Sequence, residues 1–96
     1  VEVSLILIGD DGQRKTLFTA ESDAHGRFSH GFDADNGQSY EMVIASGAYF
    51  RAANLPRSGA QILDEIVVRF TTPDPDSSYH IPVIMAPNSY SCWWSA

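Results

Sequence analysis

Three histidines, one cysteine and two adjacent tryptophans are the side chains of this sequence best suited to proton transfer, nucleophilic chemistry or ligand stacking. His80 lies in the run Tyr79-His80-Ile81-Pro82-Val83-Ile84-Met85-Ala86. An imidazole titrates near neutral pH, so it can take a proton from water. Strand alternation sets His80, Pro82 and Ile84 on one face. By itself His80 reads as an ordinary strand histidine, and its neighbours must decide whether it does more. His25 and His30 flank turns and read as surface residues. Arg27 follows Gly26 and reads either as a solvated turn arginine or as a ligand contact. In the last strand, alternation places Ser91, Trp93 and Ser95 against Tyr90, Cys92 and Trp94. The indoles read as interface packing or as a stacking platform for a flat, partly apolar ligand. Cys92 is the one thiol, so no internal disulfide is possible, and it reads as a buried small hydrophobe without a reactive role.

Other chemistries find no support. Asp33-Ala34-Asp35-Asn36-Gly37 opens like a calcium loop, but the position of the closing bidentate Glu is Ile44, so a polar loop is expected. There is no G-x-S-x-G elbow, no phosphate-cradling glycine loop and no Cys/His metal spacing, and neither a metal nor a cofactor is expected. Twelve acidic residues against six basic give a net charge of −6, which disfavours nucleic acid and anionic membrane as partners. No apolar run approaches the roughly 20 residues that span a bilayer. The lone thiol fits a reducing cytoplasm.

The elements that must position these residues are short. Val1 to Gly9 is β-branched and reads as a strand, with Ile6 and Ile8 covering its second face. Asp10-Asp11-Gly12 turns the chain, because glycine accepts positive φ, and Arg14 to Glu21 forms the second arm of a hairpin. Asp23 to Gly26 is a second turn before a short strand at Arg27-Phe28-Ser29, and Gly31 to Gln38 is a loop. Ser39 to Ala45 is a strand with Tyr40, Met42 and Ile44 on one face. Between Gly47 and Leu55 the period changes, and Tyr49, Ala52, Ala53 and Leu55 fit one face of a short helix ended by Pro56. Ile62 to Thr71 resumes strand character, with Ile66, Val68 and Phe70 on one face. After a turn at Pro73 to Asp76, Tyr79–Ala86 and Ser89–Trp94 form a final hairpin across Pro87-Asn88. Ninety-six residues in about seven strands and one helix predict a single all-β domain over 1–96, a two-sheet sandwich. Since Val1 already lies in a strand-like run, a preceding segment is expected to be missing.

Several segments resemble the transthyretin and 5-hydroxyisourate hydrolase family. Tyr79-His80-Ile81-Pro82-Val83-Ile84-Met85-Ala86-Pro87-Asn88-Ser89-Tyr90-Ser91 is similar to the family's Tyr-His-Val-Pro-Leu-Leu-Leu-Ser-Pro-x-x-Tyr-Ser stretch. Ser46-Gly47-Ala48-Tyr49-Phe50 resembles the family's Thr-Gly-Ala-Tyr-Phe helix start, and Ser22-Asp23-Ala24-His25-Gly26-Arg27 its Thr-Asp-Ala-Asp-Gly-Arg turn. The resemblance implies a transthyretin-like sandwich with one short helix, assembled as a homotetramer of paired dimers around a channel. It also implies a small-molecule substrate, a cyclic amide of an oxidised purine. Opening that amide needs a base for water and a cationic donor for the carbonyl oxygen. By resemblance His80 is the base, Arg27 contacts substrate or oxyanion, and Pro82, Ile84, Ser91 and Trp93 line the channel as substrate-binding residues.

Two parts of the family site differ. The family carries a second histidine on a strand before the one that starts here at Val1. Its Tyr-Arg-Gly-Ser ending reads Trp93-Trp94-Ser95-Ala96 in this chain. Losing a charged hydrogen-bonding group from a site costs about 2–4 kcal/mol in catalysis. Three readings therefore stand: a 5-hydroxyisourate-type hydrolase, a repurposed relative acting on another planar carbonyl compound in a Trp-lined channel, and a non-catalytic transthyretin-like binder.

Overall fold

The computed structural model describes residues 1–22, 38–53, 60–74 and 79–94. They form β1 (Glu2–Ile8), β2 (Arg14–Glu21), β3 (Ser39–Ile44), α1 (Ser46–Ala53), β4 (Ile66–Thr71), β5 (Val83–Ala86) and β6 (Ser89–Cys92). The turn joining β1 to β2 is built as its residues demand. Gly12 takes φ of 82°, Gly9 N donates to Gln13 O at 2.8 Å, and the Asp11 carboxylate accepts from Gln13 N at 3.0 Å.

Four strands make an antiparallel sheet in the order β2-β1-β3-β4. Its register aligns Val3 with Ile44 and Ile66, Leu5 with Met42 and Val68, and Leu7 with Tyr40 and Phe70. Because side chains alternate, this register collects nine apolar residues on one face, which is why the strands pair this way and not one residue out of step. Val3, Ile44 and Ile66 are the buried centre of that face. The second sheet is the antiparallel β5–β6 hairpin, and its Val83 and Met85 pack against the same cluster. The result is the two-sheet β-sandwich with one helix that the residue pattern predicts.

Several expectations need correction. Regular strand β4 begins at Ile66, not Ile62. The segment before it is occupied otherwise: Ile62 N and Leu63 N donate to Asn88 Oδ1 at 2.8 and 3.2 Å, and Asp64 O accepts from Gly47 N at 2.9 Å. Those bonds hold the hairpin tip and the helix start to one stretch of chain. The helix buries Ser46, Gly47 and Phe50, whereas Tyr49, Ala52 and Ala53 are exposed, so its inward face is not the predicted one. Close contact explains the difference. Gly47 lies so near residues 63–64 that a Cβ there would stand 2.8 Å from their backbone. Cys92 is exposed rather than buried: among the described residues β6 pairs with β5 alone, and it is exposed along its whole length. The predicted strand at Arg27 to Ser29 lies outside the described residues, as does the loop bearing Asp33 to Gly37.

The reverse face of the large sheet holds a buried carboxylate that the pattern did not single out. Glu41 is 5% exposed and is ion-paired to both Arg14 and Arg69, the latter at 3.4 Å. Register places Glu41 between Ile6 and Arg69, so two strands supply its cover. Among the described residues no helix is long and apolar enough to cross a membrane.

Candidate functional site

The chain enters β5 through Tyr79-His80-Ile81-Pro82, and the regular ladder starts only at Val83. Pro82 has no N–H to give to a ladder, which accounts for the late start relative to the predicted Tyr79. His80 still makes an isolated bridge. Across the hairpin, Val83 faces Cys92, Ile84 faces Ser91, Met85 faces Tyr90 and Ala86 faces Ser89. The pairing continues one step further, because Trp93 N donates to Pro82 O at 3.3 Å.

That register decides which side chains share a surface. Val83 and Met85 point into the sandwich, so Ile84, Ser91, Pro82, Trp93 and His80 fall on the opposite, outward face. Of these, His80 and Ser91 are exposed, Ile84 is 64% exposed and Trp93 48%, and Pro82 is half-buried. Five of the six site residues predicted from sequence thus lie together on one side of one hairpin. The sixth, Arg27, lies outside the described residues, as do His25, His30 and Ser95.

Tyr79, Ile81 and Trp94 line, with Phe70, Thr71 and Pro73, a surface cleft of ≈ 250 Å³, in which the Trp94 ring stays 64% exposed. The Tyr79 and Trp94 rings are 6.2 Å apart, and Phe70 stacks on Tyr40 at 5.7 Å. Tyr79 Oη donates to Asp74 O at 2.8 Å and accepts from Asp74 N at 2.9 Å. The two tryptophans therefore diverge, Trp93 outward beside the His80 face and Trp94 onto the cleft.

The hairpin is anchored at its tip by residues that sequence reasoning missed. Asn88 Oδ1 accepts from Ile62 N and Leu63 N, and its Nδ2 donates to Ala60 O at 3.0 Å. Gln61 Nε2 donates to Leu63 O at 2.9 Å and to Pro87 O. Arg51 of α1 ties into the same stretch through Asp64 at 2.7 Å. An Asn in a Pro-Asn turn signals only a turn, and nothing local tells that its amide reaches residues 26 and 25 positions earlier.

This side of the hairpin carries an imidazole, a hydroxyl, an indole and an aliphatic side chain. Among the described residues no group of three or more His, Cys, Asp or Glu side chains could hold a metal ion. Such a surface can exchange a proton and receive a flat ring.

Comparison with known proteins agrees with the topology. The family model described as HIUase/Transthyretin family matches residues 1–94. A 5-hydroxyisourate hydrolase of Caulobacter vibrioides is 29% identical over 85 residues, 88% of this chain and 73% of that protein. The 5-hydroxyisourate hydrolase 2 of Rhizobium meliloti is 37% identical over 54 residues, 56% of this chain and 45% of the relative. A 5-hydroxyisourate hydrolase of Pseudomonas aeruginosa is 35% identical over 54 residues, and there the match spans 43% of the relative's length. Among solved structures, the crystal structure of (S)-allantoin synthase superposes with a TM-score of 0.80 at 24% identity, covering 99% of this chain and 37% of that one. With the sandwich, the helix and the closing hairpin in place and the match running over nearly every residue, the chain belongs to the HIUase/transthyretin family.

Proposed function

We propose that this chain carries the catalytic sandwich of a hydrolase of the 5-hydroxyisourate type, which opens a cyclic amide of an oxidised purine. The observation that carries the reading is the gathering of His80, Pro82, Ile84, Ser91 and Trp93 on the outward face of the β5–β6 hairpin. The names of the relatives point the same way.

In this reading His80 takes a proton from water as the water oxygen attacks the ring carbonyl carbon. Negative charge builds on the carbonyl oxygen, where the Arg27 guanidinium stabilises it. Collapse breaks the carbon–nitrogen bond, and the proton held on His80 passes to the departing nitrogen. Pro82 and Ile84 supply an apolar floor, Ser91 a hydroxyl beside it and Trp93 a ring on which the planar substrate stacks. The exposed apolar area of Ile84 and Trp93 is of the kind a neighbouring copy covers, which supports a homotetramer with the face lining a shared channel.

Mixing the protein with freshly generated 5-hydroxyisourate and following its absorbance tests the proposal. Decay much faster than in buffer, reduced at least a hundredfold by His80→Ala, is expected. Decay no faster than buffer sinks it.

A second reading rests on Trp93. An indole half-exposed on the outward face suits a different planar, carbonyl-bearing molecule, bound and turned over or only held. Saturable binding that survives His80→Ala, with no hydrolysis, would favour the holding role.

A further inference from the structure

Resting on the reading of His80 as the base, we infer that Tyr79 is a positioning residue, which with Trp94 braces the cleft side of the strand entry so that His80 and Trp93 are presented on the other side. Residues 79–82 precede the regular ladder, so main-chain pairing alone holds them less firmly than β5 proper. Pro82 adds to this by removing one donor.

Further contacts hold the segment on its cleft side. The Tyr79 hydroxyl takes both the amide and the carbonyl of Asp74, at 2.9 and 2.8 Å, and so ties residue 79 to residue 74 immediately before His80. Its ring meets Trp94 at 6.2 Å with a 33° tilt, within the range in which aromatic pairs attract. Tyr79 and Trp94 are the sequence neighbours of His80 and Trp93. Each cleft-lining ring therefore belongs to the residue next to a site residue, and their contact ties the two segments together where the ladder is ending. A hydroxyl that makes two main-chain hydrogen bonds leaves the ring little freedom to rotate, and it anchors the main chain from which His80 projects.

Steady-state turnover of freshly generated 5-hydroxyisourate by the intact protein tests the brace, with the His80 imidazole Cε1–H resonance as a second readout. Tyr79→Phe keeps the ring and its meeting with Trp94 and removes only the hydroxyl. It is expected to lower kcat about tenfold with KM within about twofold, because misplacing a catalytic group by an ångström costs up to about a hundredfold. The His80 resonance should shift or broaden as the ring samples more than one orientation. Trp94→Leu should do the same and Trp94→Phe should largely restore the parent values, which a loss of general stability would not reproduce. Should Tyr79→Phe fail to fold, the Trp94 pair carries the test. Parent kcat and an unmoved resonance in Tyr79→Phe, with His80→Ala inactive, would overturn the brace while leaving the hydrolase standing. If instead His80→Ala is as active as the parent, the hydrolase reading falls, and an unmoved resonance would then dispose of the brace separately.

Discussion

The main-chain amide of Trp93 lies 3.3 Å from the carbonyl oxygen of Pro82, one step past the last regular pair of the closing hairpin. This single bond sets the indole across from Pro82 and hence on the same face as His80, Ile84 and Ser91. Had the pairing ended at Cys92, alternation alone would have had to carry Trp93 to that side.

Replacing that indole should therefore change recognition of a planar ligand. Trp93→Ala is expected to weaken binding about tenfold, close to the 1.4 kcal/mol that an aromatic contact is worth. Trp93→Tyr should move both KM and kcat, since a phenol offers less stacking area but a hydroxyl. Kinetics and ligand titration of the two variants measure this. Unchanged values for Trp93→Tyr would take Trp93 out of the site.

Asn88 supplies a second prediction, on stability. Its amide satisfies two backbone N–H groups and one carbonyl of residues 60–63, joining the hairpin tip to the stretch that also holds α1. Asn88→Ala leaves those groups to water at an exposed site, and a loss of about 1–2 kcal/mol is expected from a urea midpoint. Asn88→Asp keeps the acceptor that serves both amides and loses only the donor to Ala60, so it should fall between the two. Equal midpoints for all three proteins would mean that the tip is held by other contacts.

The contrast between these two residues shows where the sequence was readable. Alternation is a local rule: it put His80, Pro82 and Ile84 on one face and Ser91 with Trp93 on one face, and the pairing of β5 with β6 sets Ile84 across from Ser91 and Pro82 across from Trp93. The apolar period likewise put Tyr40, Met42 and Ile44 with Ile66, Val68 and Phe70 on the inward side of the large sheet. What escaped depends on partners distant along the chain. The helix period favoured Tyr49, Ala52 and Ala53, but a close approach to Leu63 and Asp64 chose Ser46, Gly47 and Phe50 instead. Cys92 has the chemistry of a core residue, yet β6 is exposed along its whole length and leaves it so. The burial of Glu41 needs two arginines brought over by β2 and β4, 27 positions before and 28 after it.

Gly47 yields a third prediction. In most helices alanine is better than glycine by about 1 kcal/mol. Here the added Cβ would sit 2.8 Å from Asp64 Cα, Asp64 O and Leu63 O, all of them backbone atoms that cannot simply swing aside. Gly47→Ala should therefore destabilise by about 1–3 kcal/mol, the usual cost of overpacking, and should also disturb the 2.9 Å bond from Gly47 N to Asp64 O. A rise in thermal midpoint would show that residues 63–64 give way easily.

The Arg14–Glu41–Arg69 cluster is asymmetric, and the asymmetry gives the fourth prediction. The side chain of Glu41 is 7% exposed, while those of Arg14 and Arg69 are 48% and 63% exposed. Removing the carboxylate leaves two guanidinium groups that water can solvate, so Glu41→Gln should cost only about 1 kcal/mol. Removing both arginines strands a nearly buried charge, and Arg14→Met with Arg69→Met should cost about 2–4 kcal/mol, more than the sum of the single changes. Arg69→Met alone, at 3.4 Å and largely exposed, should fall within about 1 kcal/mol of the parent. Chemical denaturation of the four variants in low salt reads the differences. If the double arginine variant is no less stable than Glu41→Gln, the carboxylate finds water or another donor, and burial is not what makes the cluster matter.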